Sequence, residues 1–126
     1  MIYLDTSVAL AHLLAEDRRP PPELWAEELV SSRLLEYELW TRLNALDLAR
    51  SHGDLARLLL ARLAWLELRP GVLERALHPF PLPVRTLDAL HLASVSFLRE
   101  HGKDVVLATY DERMAEAAGA MGISLF

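Results

Sequence analysis

Short stretches that are apolar at every position, rather than at every second one, alternate with helix-length stretches along this chain. Met1-Ile2-Tyr3-Leu4 is one such stretch and Val105-Val106-Leu107-Ala108 is another. A strand with no polar face has to be covered on both sides. That situation belongs to parallel sheets, whose crossover helices lie against both faces. The pattern therefore predicts an α/β fold: three α/β/α layers with a central, mostly parallel sheet of four to five short strands. At 126 residues, with no linker, repeat or low-complexity segment, the chain reads as one domain over 1–126.

Turn and cap chemistry sets the expected boundaries. A helix runs from Thr6 to about Glu16 and stops at Arg18-Arg19-Pro20-Pro21-Pro22, since consecutive prolines cannot continue it. A second helix is expected over about 23–30, a short strand over Val30–Arg33, and longer helices over about 34–50 and 54–66. The break between those two is placed at Ser51-His52-Gly53, where glycine suits a left-handed cap. Leu66-Glu67-Leu68-Arg69 alternates and reads as an edge strand, cut off by Pro70-Gly71. A helix over about 71–77 and an extended loop from His78 to Pro83 follow. Thr86 is read as the N-cap of a helix reaching about Glu100, which Gly102 ends. Asp104–Ala108 then forms a strand, 111–120 a helix and Ile123–Phe126 a last strand.

Composition narrows the function classes. A hydrophobic share of 52% excludes a disordered chain. No apolar run approaches the roughly 20 residues needed to cross a bilayer. The N-terminus lacks the basic region of a signal peptide. With 0 Cys there is neither a disulfide framework nor a thiolate metal site. A cytoplasmic protein without membrane contact is expected. The net charge of −5 runs against nucleic-acid binding, which draws on Lys and Arg. A carboxylate cluster that binds metal accounts for part of that charge and becomes cationic once loaded. The basic residues are nearly all Arg, with Lys103 the lone Lys. Codon usage explains that more simply than phosphate recognition does.

Four acids stand against the apolar grain: Asp5, Glu38, Asp88 and Asp111. Asp5 and Asp111 follow strands, and in parallel α/β sheets the functional crevice lies beyond the strands' carboxyl ends. Two separate segments thus bring a carboxylate to one rim. Each would equally serve as a helix N-cap, Asp5 before Thr6-Ser7 and Asp111 before Glu112. Asp88 lies in a helix that is apolar nearly all round, on the stripe of Leu92 and Val95. On the 34–50 helix, Leu35, Leu39, Leu43 and Leu46 define the apolar face. Glu38 falls at its margin and Glu36 at the wetter opposite margin, which favours Glu38 as the inward acid.

Such a set suits a hard divalent cation. Mg²⁺ and Mn²⁺ take oxygen ligands, and gathered carboxylates repel one another until a cation relieves them. A bound ion can lower the pKa of a water and stabilise charge on a phosphodiester. No nucleophilic Cys, Ser–His–Asp pattern or Gly-rich phosphate loop supports a covalent route. His91, one turn beyond Asp88, reads as a core or hydrogen-bonded supporting histidine rather than a ligand. Thr6, Ser7 and Thr109 are candidates to orient carboxylates, or ordinary turn and strand residues. His12, His52, His78 and His101 share no site-like spacing, and the three Trp read as packing or interface residues.

Taken together these residues resemble a PIN domain, in the small single-domain form of VapC toxins from type II toxin–antitoxin pairs. The resemblance rests on Ile2-Tyr3-Leu4-Asp5-Thr6-Ser7, the stretch Ser32 to Trp40, Thr86-Leu87-Asp88-Ala89-Leu90-His91-Leu92-Ala93, and Leu107-Ala108-Thr109-Tyr110-Asp111-Glu112-Arg113-Met114. It implies that Asp5, Glu38, Asp88 and Asp111 form a catalytic, metal-binding quartet. It further implies a Mg²⁺- or Mn²⁺-dependent endoribonuclease, a VapB-type antitoxin that covers the acidic site, and a homodimer. Arg42, Arg85 and Arg113 lie near the acids in sequence, as phosphate-steering groups or as solvated surface charge. A haloacid-dehalogenase-like enzyme would need a second Asp where Ser7 stands. A receiver domain would need a Lys after a late strand, whereas Lys103 precedes its strand. A PIN-like binding module without turnover is the remaining alternative.

Overall fold

The computed structural model describes every residue from Met1 to Phe126. Its elements are β1 (Ile2–Leu4), α1 (Thr6–Leu13), a 3₁₀ turn (Pro22–Ala26), β2 (Leu29–Ser32), α2 (Leu34–Ala45), α3 (Ala49–Leu60), β3 (Ala64–Leu66), α4 (Pro70–Leu77), α5 (Thr86–Glu100), β4 (Val106–Ala108) and α6 (Glu112–Ala120). The sheet has four strands in the order β3-β2-β1-β4, and every pairing is parallel. Alternate residues of the central strand explain the three layers. Ile2 and Leu4 pack on one face with Val8 of α1, Leu35, Leu39 and Leu43 of α2, and Leu59 of α3. Tyr3 points the other way, into a second core with Leu92 and Val95 of α5 and Met114 and Ala117 of α6. Val72 of α4 joins Leu66 and Ala93 in a smaller cluster. No helix is long and apolar enough to cross a membrane.

Several boundaries depart from expectation, each for an identifiable reason. The expected helix over 23–30 is a 3₁₀ turn that ends at Ala26, and β2 already begins at Leu29. The edge strand lies at Ala64–Leu66 instead of Leu66–Arg69. Ser32 pairs with Leu66 and α2 starts two residues later, so Glu67–Arg69 find no strand to pair with. Thr86 is the first helical residue of α5, not its cap; Arg85 holds that position and makes no side-chain cap bond. The last strand reduces to one parallel bridge between Leu107 and Leu125.

The helix ends follow one rule that the sequence half conceals. Four helices close in a Schellman motif, in which a residue with left-handed backbone sits just past the end. Gly102 and Gly122 fill that place after α5 and α6, at φ 79 and φ 69. Ala15 and Asp47 fill it after α1 and α2, at φ 50 and φ 56. In the second case Leu48 N–H donates to Leu43 O at 2.8 Å and Asp47 N–H to Asn44 O at 3.2 Å. Leu48 also packs against the core cluster to which Leu43 belongs. The α2–α3 break therefore lies at Asp47, and Gly53 sits inside α3, where an added Cβ would be 3.6 Å from Trp40. Helix α1 likewise ends at Leu13 rather than near Glu16. Because an L-alanine at left-handed φ is strained, Ala15→Gly is expected to stabilise the fold by about 0.5–1 kcal/mol. A higher urea midpoint at unchanged slope checks this.

All three tryptophans pack partly buried, and each carries an arginine over its ring: Arg62 on Trp25, Arg57 on Trp40 and Arg33 on Trp65. Part of the arginine excess thus serves packing.

Candidate active site

After β1 the chain moves to one side of the sheet, and β4 later adds on the other, so the order reverses between β1 and β4. Ligand crevices of open α/β sheets lie beyond the strand ends at such a switch. Asp5 follows β1 there, and Asp111 stands three residues beyond β4. Hydroxyl groups stitch the two strand ends together. Asp5 Oδ2 accepts from Ser7 Oγ at 2.5 Å, from Thr109 Oγ1 at 2.9 Å and from Ser7 N–H at 3.3 Å. Thr109 Oγ1 in turn accepts from Asp111 N–H at 3.0 Å, and Ser7 Oγ from Tyr110 N–H at 2.9 Å. Both aspartates are also N-caps: Asp5 for α1, and Asp111 for α6 through Arg113 and Met114 N–H. The capping and clustering readings are therefore both realised, since each cap uses one carboxylate oxygen and leaves the other free.

Glu38 reaches the same crevice from α2. Its Oε1 accepts from Thr6 Oγ1 at 2.9 Å and lies 2.5 Å from His91 Nε2. A carboxylate only accepts, so Nε2 carries the hydrogen. The same Nε2 lies 3.9 Å from Asp5 Oδ1. On the other side of the ring, Nδ1 is 2.8 Å from the Tyr3 hydroxyl, whose oxygen also accepts from Ser32 N–H at 3.1 Å. Glu38 is thereby tied through His91 and Tyr3 to the backbone of β2. Glu36 faces elsewhere, 3.1 Å from Arg33, which also pairs with Glu67 at 2.8 Å.

Asp88 enters from the first turn of α5. The expectation of an all-round buried helix fails there: burial is complete only over His91–Val95, Leu87 is 46% exposed and Asp88 is half-buried. Burial raises the proton affinity of Asp88 above the usual carboxylate range, and the charges of Asp111, Asp5 and Glu38 add to the rise, with His91 opposing. His91 is almost fully buried, which works against its charged form. Its bond to Glu38 and the charges of Asp5, Glu38 and Asp88 outweigh that and raise its pKa. Burial likewise holds the Tyr3 phenol protonated well beyond its ordinary range.

Asp88 thus lies within electrostatic reach of Asp111, Asp5 and Glu38. No three of the His, Asp and Glu groups converge tightly enough to hold an ion as they stand. The donor set nonetheless fits a hard divalent cation, being carboxylate oxygen with hydroxyl support and no thiolate. Arg42, Arg85 and Arg113 are solvent-exposed and pair with no carboxylate. Tyr3 and Ser32 escaped the sequence reading. The available signal was a tyrosine in an aliphatic strand, since a buried hydroxyl needs a partner.

With its proton affinity raised in the native state, Asp88 costs stability as pH climbs through its folded pKa. Without metal at neutral pH, Asp88→Asn is expected to stabilise the fold by a fraction of a kcal/mol, small because the group is half-exposed. The gain should vanish in acid, where both states hold the proton. Thermal melts in chelator at pH 7 and pH 3 check the sign.

Fold and rim together define a class: a parallel α/β domain with Asp5 and Asp111 at the strand ends of its switch point and Glu38 tied to them through Thr6 and His91. A family model for the PIN domain matches residues 2–120, and the chain belongs to that family. Its curated relatives there include Ribonuclease VapC46 of Mycobacterium tuberculosis, 37% identical over 98% of this chain and 95% of that protein. Ribonuclease VapC35 of the same species is 30% identical over 99% of this chain and 95% of its own length. Among solved structures, M. tuberculosis VapC20, described as a sarcin–ricin loop cleaving toxin, superposes with a TM-score of 0.69 at 23% identity. That superposition covers 93% of this chain and 95% of the other, and shows a shared fold.

Proposed function

We propose that this PIN-domain protein is a VapC-type endoribonuclease toxin, which hydrolyses RNA phosphodiester bonds at Asp5, Glu38, Asp88 and Asp111 with Mg²⁺ or Mn²⁺. The observation that carries the reading is geometric: Thr109 links Asp5 to Asp111 across the two strand ends, and His91 Nε2 lies 2.5 Å from Glu38 Oε1 and 3.9 Å from Asp5 Oδ1. Such crowding is unfavourable for an empty apo site and favourable for one that takes a dication. Asp5 and Asp111 supply the free oxygen of each capping carboxylate, with Asp88 and Glu38 closing the set. When bound, the metal supplies Lewis acidity toward water and phosphate.

The remaining work falls to the chain's own groups. Ser7 and Thr109 fix the rotation of Asp5. His91 and Thr6 aim Glu38. In this reading the protein is cytoplasmic, pairs with a VapB-type antitoxin that shields the acids, and forms a homodimer. The test is cleavage of total RNA with Mn²⁺ or Mg²⁺ and with chelator. Cutting that requires metal is expected; a purified protein that cuts no RNA under any metal would leave a PIN-fold binding module.

A further inference from the structure

Beside the acidic crevice lies an open groove of about 520 Å³. Thr6 and Glu38, which are hydrogen-bonded to each other, line it on the side of the acids. Its other walls are mainly apolar, Leu34 and Leu87 among them, and Tyr37 and Arg42 also line it. Tyr37 is 68% exposed and Leu87 46%. An aromatic ring and a leucine side chain that exposed contribute little to the fold. Arg42 is a cation with no carboxylate partner.

We propose that this groove is a base-recognition site for an unpaired nucleotide flanking the scissile phosphate, with Tyr37 as its stacking platform. The inference rests on the ribonuclease reading above and adds where specificity resides. Three features select a nucleoside as the occupant. The groove has the size of a small-molecule site. It offers an aromatic ring, apolar contact and a lone guanidinium for phosphate, which is the chemistry of single-strand RNA recognition. Glu38 lines it and Thr6 and Leu87 adjoin Asp5 and Asp88 in sequence, so a strand whose phosphate meets the acids would place a neighbouring base within reach. Thr41, also in the lining, adds a hydroxyl able to read a base edge.

The test compares wild type, Tyr37→Ala and Tyr37→Phe on short RNAs carrying an abasic residue at each position around the cut. Tyr37→Ala is expected to raise KM roughly 10- to 100-fold, the effect of losing one base stack, with the loss falling on KM more than on kcat. Tyr37→Phe should restore KM. One abasic position should cost the wild type as much and cost Tyr37→Ala nothing further. A parallel arm measures quenching of 2-aminopurine RNA by uncleaving Asp5→Asn protein, with and without Tyr37→Ala. Quenching that disappears with the ring supports the groove even if wild type proves not to cut RNA, in which case only the nuclease reading falls. Unchanged KM, cut pattern and quenching in Tyr37→Ala overturn the proposal. So does a Tyr37→Ala effect confined to self-association in sedimentation, which would make the groove an interface between copies.

Discussion

Asp5→Asn is expected to remove RNA cleavage while leaving the fold intact, with a loss of at least about 10²–10³-fold in single-turnover rate. The fold should survive because asparagine keeps one carbonyl oxygen where Asp5 Oδ2 accepts from Ser7 and Thr109. Asparagine is also as good an N-cap as aspartate. What disappears is half the ligating capacity and one full charge at the switch point. Because Asp5 is only 4% exposed, the substitution also relieves a buried carboxylate. The expected pairing is therefore lost activity and lost Mn²⁺-induced rise in Tm, with an unchanged or higher Tm in chelator. Retained cleavage within tenfold of wild type would refute the role given to Asp5.

His91→Leu should show the second-largest effect, through two separable quantities. The ring is 1% exposed and bridges Glu38 and Tyr3, so its loss leaves the buried Tyr3 hydroxyl short of a partner. Stability should fall by about 1–3 kcal/mol, the usual cost of an orphaned buried polar group. Glu38 keeps Thr6 but loses its rigid tie to β2, and activity per folded molecule should drop about 10- to 100-fold, as for other groups that orient ligands. His91→Gln restores an N–H near the Nε2 position and should recover part of the activity without all of the stability. Urea unfolding and cleavage at saturating Mn²⁺ separate the two. Full activity in folded His91→Leu would reduce the histidine to packing.

Much of the architecture was legible because strands covered on both sides cannot hide it. Ile2, Tyr3 and Leu4 are all buried, two toward one core and one toward the other. The same logic put Asp5 and Asp111 at one rim. Helix ends were legible where glycine holds the left-handed position, at Gly102 and Gly122. They were illegible where Ala15 and Asp47 do so, because neither residue type announces a left-handed backbone. Asp88 was drawn toward the site by an argument only partly true. Its helix is buried in the middle and open at the turn that matters.

The sequence by itself determined the class of fold and the residue types at the rim, since burial on both faces and carboxylates at strand ends are local facts. Strand order, and with it the switch point between β1 and β4, came only from the tertiary structure. Helix periodicity already favoured Glu38 over Glu36, and the tertiary structure added the partners it meets, His91 and Thr6 arriving from other elements. The reason is physical: a side chain's periodicity says which way it points from its own helix. What it meets there depends on residues brought from 32 and 53 positions away.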